Sequence, residues 1–119
     1  HIKGKIKEIQ RKMSLMRMMH QVPKADVVIK NPTHYAVALK YEPKKDIAPV
    51  VIAKGKDYVA LKIIEIAEKN NVYITENIPL ARGLYKAADI NQKIPEEFYK
   101  AVAEVIAFIY KLKKRKTKG

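Results

Sequence analysis

Two apolar runs separated by a short polar break constrain the fold of this chain more than any other feature. The runs cover residues 27–29 and 35–39, and between them stands the tetrapeptide Asn31, Pro32, Thr33 and His34. Val, Ile and Tyr favour extended structure, whereas Asn-Pro is typical of a tight turn. The sequence therefore predicts a strand, a turn and a second strand, which would frame the tetrapeptide.

The rest of the chain alternates between strand-like and helix-like patterns. Apolar runs predict two further strands, at residues 50–53 and 72–75. Spacings of three and four predict four helices, over residues 5–20, 58–69 and 80–88 and from Pro95 onwards. This order predicts an α/β fold with a small mixed four-stranded sheet flanked by helices, in which a helix crosses over between strands three and four.

Local signals set the ends of several elements. Residues 54–56, Lys-Gly-Lys, predict a second turn, and Asp57 after them is a candidate N-cap. Asn77 and Ile78 directly precede Pro79, a pattern that predicts a helix start with Asn77 or Ile78 at the cap and Pro79 in the first turn. Together these signals predict that the third strand ends before residue 54.

Positive charge is concentrated at the two ends of the chain. The net charge is +13, from 25 Lys and Arg against 12 Asp and Glu. The first helix also carries an apolar stripe, formed by Ile6, Ile9, Met13, Met16 and His20. These patterns divide the chain into a long N-terminal linker helix at 1–22, an α/β domain at 23–112 and a disordered basic tail at 113–119.

A basic excess of this size favours association with nucleic acid, an anionic membrane surface or acidic proteins. A basic α/β RNA-binding module, resembling small ribosomal proteins, is therefore one candidate function. Against it, the charge is terminal, and the chain has no Trp and only two Phe for stacking on bases. The absence of Cys excludes disulfides, and no apolar stretch reaches the roughly 20 residues that cross a bilayer.

The Asn31–Pro32 bond has an unusual chemical liability. At most Asn-X bonds the backbone nitrogen of X attacks the Asn side chain and causes deamidation, but Pro32 has no N–H and closes that route. One intramolecular attack remains, that of the Asn31 side-chain nitrogen on its own backbone carbonyl. It forms a succinimide and releases Pro32 as a new amino terminus. The residues permit self-cleavage, but for the tetrapeptide by itself an ordinary Asn-Pro turn in a pure scaffold is the simpler interpretation.

Self-cleavage needs a positioned nucleophile, a donor for the developing oxyanion and a base. A turn N–H or the Thr33 hydroxyl could be the donor, and His34 could take up a proton or hold the turn. The reaction would run once on the chain's own backbone, so the protein would not be an enzyme with an external substrate. We expect no cofactor, because the three His are far apart in sequence and no Gly-rich phosphate loop is present.

Several collinear blocks of the sequence resemble the FlhB/YscU family of type III export switch proteins. They are PKADVVIKNPTHYAVALKY at 23–41, APVVIAKG at 48–55, ENIPLARGLY at 76–85 and FYKAVAEV at 98–105. The tetrapeptide alone would be a weak signal, but blocks on both sides of it make the resemblance strong. It extends from about Gly4 to Leu112, and it is closest to the flagellar branch of the family.

The resemblance implies the cytoplasmic face of a bacterial inner-membrane protein, with a transmembrane domain upstream of His1. The helix at 5–20 would leave the bilayer, and its basic residues would suit an anionic inner leaflet. The resemblance further implies cleavage between Asn31 and Pro32 and a part in switching export specificity. The implied partners are the other export-gate component, the ruler protein that controls length, and exported flagellar substrates; no nucleic acid is expected.

One further site is predicted from the sequence. Ala48 and Pro49 form an apolar step beside a charged loop, and Ala103 and Ile106 lie one turn apart on the last helix. The four residues could line a small pocket for an apolar side chain of a substrate. Core packing is the alternative for the helix pair, because an apolar helix face is usually buried.

Overall fold

In the computed structural model, which describes residues 2–32 and 34–118, four α-helices and four strands follow the predicted order. The helices are α1 (Ile2–Gln21), α2 (Tyr58–Lys69), α3 (Ile78–Ala87) and α4 (Tyr99–Lys118). The strands are β1 (Val27–Asn31), β2 (Tyr35–Lys40), β3 (Val50–Lys56) and β4 (Tyr73–Glu76). Short 3-10 helices at Val22–Lys24 and Glu96–Phe98 precede β1 and α4.

The four strands form one mixed sheet in the order β3-β2-β1-β4. β1 pairs antiparallel with β2, from Val27 opposite Leu39 to Asn31 opposite Tyr35, and β2 pairs antiparallel with β3. β4 lies parallel to β1 after the crossover through α2. The predicted mixed four-stranded sheet is confirmed, and β1 lies inside it, between β2 and β4.

Both faces of the sheet are buried. Val27 and Ile29 of β1 belong to a core that is completed by α3 and α4. Val28, which points to the opposite face, belongs to a second core that is completed by α2. Burial on both faces explains the uninterrupted apolar runs of β1 and β2, whose buried residues point to both sides of the sheet.

The prediction of a second turn at residues 54–56 is wrong, because β3 continues to Lys56. Lys56 pairs with Tyr35, so the ladder between β3 and β2 runs on past the glycine. Gly55 itself is tightly packed, since a Cβ atom there would lie 2.7 Å from Cβ of Val59. The glycine therefore marks a close approach between β3 and α2.

The two predicted helix caps differ in outcome. Asn77 is the N-cap of α3, and its side chain accepts a hydrogen bond of 3.2 Å from the N–H of Leu80. Asp57 occupies the N-cap position of α2, but its side chain makes no capping hydrogen bond. Its backbone has φ 51° and ψ −120°, a conformation that strains any residue with a Cβ atom. The junction between β3 and α2 is thus a strained point of the fold.

The described residues begin and end in helices. α1 begins at Ile2 and includes Gly4, earlier than the predicted start at residue 5. Its apolar stripe stays outside the core, with exposed fractions of 48–62% for Ile6, Ile9, Met13 and Met16. The basic tail predicted at 113–119 lies on α4 as far as Lys118, and Gly119 lies outside the described residues. Lys and Arg are good helix formers, and neither Gly nor Pro interrupts α4.

Candidate functional site

The Asn31–Pro32 bond lies at the tip of the first hairpin, where β1 ends. Asn31 is half-buried, whereas Pro32 and His34 are exposed. The backbone N–H of His34 donates a hydrogen bond of 2.9 Å to the carbonyl oxygen of Asn31. The carbonyl group of the bond that the sequence predicts to break therefore already has a hydrogen-bond donor.

The junction between β3 and α2 holds the far side of this turn. The N–H of Asp57 donates a hydrogen bond of 2.9 Å to the carbonyl of His34. Nδ1 of His34 also lies 3.9 Å from Oδ1 of Asp57, but the two side chains are 68% and 72% exposed. Such an exposed contact stabilises weakly, so the backbone bond is what fixes His34.

The start of α3 holds the near side of the turn. The N–H of Asn77 donates a hydrogen bond of 3.0 Å to the carbonyl of Lys30. Asn77 is in turn fixed by its role as the cap of α3. Because Lys30 directly precedes Asn31 and His34 follows it by three residues, the backbone around the scissile bond is anchored on both sides.

The Asn31 side chain makes no hydrogen bond to any group of residues 2–32 and 34–118. Among these residues, no hydrogen bond draws its nitrogen away from its own backbone carbonyl. Attack of that nitrogen on the carbonyl carbon closes a five-membered ring. Thr33, the other predicted donor, lies outside the described residues. Of the predicted site residues, Asn31 and His34 are joined directly by a hydrogen bond.

A cluster of Lys54, Tyr85 and Tyr35 packs beside the turn. Nζ of Lys54 donates hydrogen bonds of 2.9 Å and 2.8 Å to the carbonyls of Tyr85 and Ala88 at the end of α3. The same nitrogen lies 5.2 Å from the centroid of the Tyr85 ring. The centroids of the Tyr35 and Tyr85 rings are 4.8 Å apart. The cluster connects β3 and α3 to the first residue of β2, directly after the turn.

The predicted substrate patch divides between core and surface. Ala48 and Ile106 belong to one buried cluster, Pro49 is half-buried and Ala103 is exposed. The surface has a groove between α1 and Ile52 and another between β4 and α4, and none of the four residues lines either of them. Burial of Ile106 agrees with core packing, and a binding role for the patch stays a prediction.

The described part of the chain has neither a metal-binding cluster nor a membrane-spanning helix. Over residues 2–32 and 34–118, no group of three or more His, Cys, Asp or Glu side chains could hold a metal ion. Nor does any helix within these ranges have the length and apolarity to cross a membrane.

Asp57→Gly is expected to stabilise the domain. Glycine adopts the observed φ of 51° without steric penalty, whereas strain of this kind costs roughly 1–3 kcal/mol. After the larger backbone entropy of glycine is subtracted, the free energy of unfolding should rise by about 1 kcal/mol in urea denaturation. Asp57→Ala keeps the Cβ atom and is the matched control, with no such gain expected. A loss of stability in Asp57→Gly would mean that the carboxylate contact with His34 outweighs the strain.

Comparison with known proteins gives consistent matches over most of the chain. Residues 1–109 match the sequence model of the FlhB HrpN YscU SpaS family. The chain is 55% identical over 114 residues to the flagellar biosynthetic protein FlhB of Bacillus subtilis, covering 96% of this chain and 32% of that protein. It therefore spans about a third of the length of the curated relatives it matches.

Solved structures match the fold as well. The crystal structure of the cytoplasmic domain of FlhB from Shewanella putrefaciens is similar with a TM-score of 0.81 and 46% identity, over 87% of this chain and 80% of that one. A mutated C-terminal domain of EscU is similar with a TM-score of 0.74 and 40% identity, over 77% of this chain and 92% of that one.

Proposed function

The chain belongs to the FlhB HrpN YscU SpaS family, and from this premise we propose that it is the cytoplasmic domain of a flagellar export component that cuts its own backbone once, between Asn31 and Pro32. The observation that carries the proposal is the 2.9 Å hydrogen bond from the N–H of His34 to the Asn31 carbonyl oxygen. It places a donor at the atom on which negative charge would develop during the attack.

In the proposed reaction, Nδ2 of Asn31 loses a proton and bonds to the backbone carbonyl carbon of the same residue. Negative charge moves to the carbonyl oxygen, where the N–H of His34 stabilises it; one such donor is worth roughly a hundredfold to a thousandfold in rate. Collapse of this intermediate breaks the bond to Pro32, whose nitrogen takes up a proton. Asn31 remains as a carboxy-terminal succinimide, which water then hydrolyses.

In this mechanism His34 acts mainly through its backbone N–H. Its N–H meets the reacting carbonyl, whereas its Nδ1 lies near Asp57. The base is solvent hydroxide, which reaches the exposed turn, or the imidazole of His34 itself. Because the nucleophile is consumed in the step, each chain reacts only once, and the protein is not an enzyme that turns over.

The two proposed fragments, residues 1–31 and 32–119, would stay together after cleavage. The first contains β1, which pairs on one side with β2 and on the other with β4, both in the second fragment. Val27, Val28 and Ile29 have no exposed surface. Cleavage would therefore free two chain ends at the exposed turn without releasing β1, which supports a role as a switch.

For the whole protein, we propose a part in switching the substrate specificity of flagellar export. The proposal includes an upstream transmembrane domain in the inner membrane, to which α1 would connect; the chain spans about a third of the length of its curated relatives. Basic residues on the exposed surface of α1 suit an anionic inner leaflet. The partners we propose are the other export-gate component, the ruler protein and exported flagellar substrates.

RNA binding, the alternative drawn from the net charge, is not part of the proposal. The net positive charge lies mainly on α1 and on the last turns of α4, which are separate elements at the two ends of the chain, because 11 of the 12 Asp and Glu lie between them. Membership of the family accounts for the fold, and no arrangement of the described residues indicates that RNA binds to it.

The freshly purified chain should separate into two pieces under denaturing conditions while it elutes as one species under native conditions. Intact masses should correspond to residues 1–31 and 32–119. Mass spectrometry is the decisive measurement, because it distinguishes cleavage before Pro32 from chance proteolysis at an exposed loop. A single full-length mass after days at neutral pH would rule out self-cleavage.

A further inference from the structure

The outer edge of β4 carries backbone groups that no other strand uses. β4 is an end strand of the sheet, and Asn77 just beyond it donates its N–H to Lys30 of β1. Backbone groups alternate in direction along a strand, so those of Thr75 point towards β1 and those of Ile74 and Glu76 point away from it. Within the described residues, the N–H and C=O groups of Ile74 and Glu76 have no hydrogen-bond partner.

An apolar groove opens beside this edge, between β4 and α4. It has a volume of about 330 Å³ and is lined mainly by Tyr73, Thr75, Val105, Phe108 and Leu112. Phe108 is 62% exposed, although Ile109 next to it is buried in the core. An exposed aromatic ring next to an unpaired strand edge is typical of a surface that binds a partner.

We propose that this surface, the β4 edge with its groove, binds an extended peptide segment of another protein by strand addition. The peptide backbone would pair with the outward groups of Ile74 and Glu76, and alternate peptide side chains would point towards the groove. The groove has room for one or two apolar side chains. A helical ligand could not pair with the outward backbone groups of Ile74 and Glu76. The bound peptide is therefore extended.

The charges on this surface favour a foreign peptide over a second copy of the chain. A net charge of +13 opposes self-association. Glu104 lines the groove and Glu76 ends β4, whereas Nζ of Lys113 lies 5.8 Å from the centroid of the ring of Tyr73, where β4 begins. The peptide should therefore carry a basic side chain near Glu76. Binding at this surface goes beyond the proposed function and does not depend on cleavage at Asn31.

The proposal can be tested by NMR titration of the isotope-labelled chain with a synthetic octapeptide. The probe alternates Thr with Val, and it has a central Leu and one terminal Arg. The amides of Ile74 and Glu76 should shift and become protected from solvent exchange, while the amide of Thr75, which already faces β1, should keep its protection. A twin peptide that is N-methylated at every residue has no N–H donor on either edge, cannot form the ladder and should leave all three amides unchanged.

Two variants separate the groove from the edge. Phe108→Ser removes a wall of the groove, and Glu76→Pro removes an outward N–H that β1 does not use; each should weaken binding roughly tenfold. Leu61→Ser, at a position on α2 that is 49% exposed, is the matched control and should bind normally. The proposal is overturned by full affinity in both variants, by binding of the N-methylated twin, by self-association through β4, or by no amide shift at millimolar peptide.

Discussion

Asn31→Ala is expected to leave the chain in one piece under every condition in which the native chain separates into two. Alanine has no nucleophilic nitrogen, so the route to the succinimide is closed. An oriented intramolecular attack lowers a barrier by roughly 7–11 kcal/mol, and this whole contribution disappears with the side chain. Attack of water on an unactivated peptide bond, the remaining path, is too slow to detect. A time course of intact mass at neutral pH measures the difference.

Two companion variants make this result specific to the nucleophile. Asn31→Asp keeps the shape of the side chain but replaces its nitrogen by oxygen, and it should also stay intact at neutral pH. Gln10→Ala removes a carboxamide from the exposed surface of α1 and should cleave at the native rate. If the Asn31→Ala chain is slowly cut after residue 31, the nucleophile is a group other than the side chain of that residue. The cyclisation mechanism would then be wrong.

The uncut variants should remain folded. Asn31 is half-buried and its side chain has no hydrogen-bond partner within the described residues. Asn31→Ala and Asn31→Asp should therefore differ in free energy of unfolding by less than about 1 kcal/mol. Either variant then provides an intact single chain in which the stability of the domain can be measured.

Lys54→Met should lower the free energy of unfolding by about 2–4 kcal/mol. The ammonium group donates to the carbonyls of Tyr85 and Ala88 at 2.9 Å and 2.8 Å. Hydrogen bonds from a charged donor contribute roughly 1.5–3 kcal/mol each, and methionine would leave both carbonyls without this partner in a half-buried position. The contact between the cation and the Tyr85 ring is lost as well.

Lys56→Met is the matched control for this effect. Lys56 lies two residues further along β3 and is exposed, so its replacement should change the free energy of unfolding by no more than about 0.5 kcal/mol. Urea denaturation of both variants in the Asn31→Ala background compares them in uncut chains. Equal stability of the two would show that water satisfies the α3 carbonyls as well as Lys54 does.

The hairpin and its turn could be predicted because local and long-range requirements agree there. The residues of β1 and β2 favour strands by themselves, and burial on both faces of the sheet then requires apolar side chains at nearly every position. The Asn-Pro turn adds a local signal at the point where the apolar run stops. The chemistry of cleavage follows from the Asn31–Pro32 bond itself, and the family resemblance favours it over an ordinary turn. A turn N–H was one of the two predicted donors, but only the structure shows that it is the N–H of His34.

The residues that hold the turn could not be predicted in this way. Lys54 stands in a Lys-Gly-Lys segment that is typical of an exposed turn, and only the pairing of β3 with β2 reveals it as a partner of α3. The cap at Asn77 was predictable from the proline that follows, but its bond to Lys30 depends on β4 lying parallel to β1. Pairing between distant segments overrides local preference, as it also does at Gly55.

The inner position of β1 has a thermodynamic consequence once the bond after Asn31 is broken. A domain that folded as one molecule becomes a complex of two chains, held together only by non-covalent contacts. Its assembly is then bimolecular, so its midpoint of unfolding depends on protein concentration, as that of an intact chain does not. If the sheet opens at low protein concentration, the two fragments separate. The fragment of residues 32–119 then lacks β1 and has no segment of its own that replaces it.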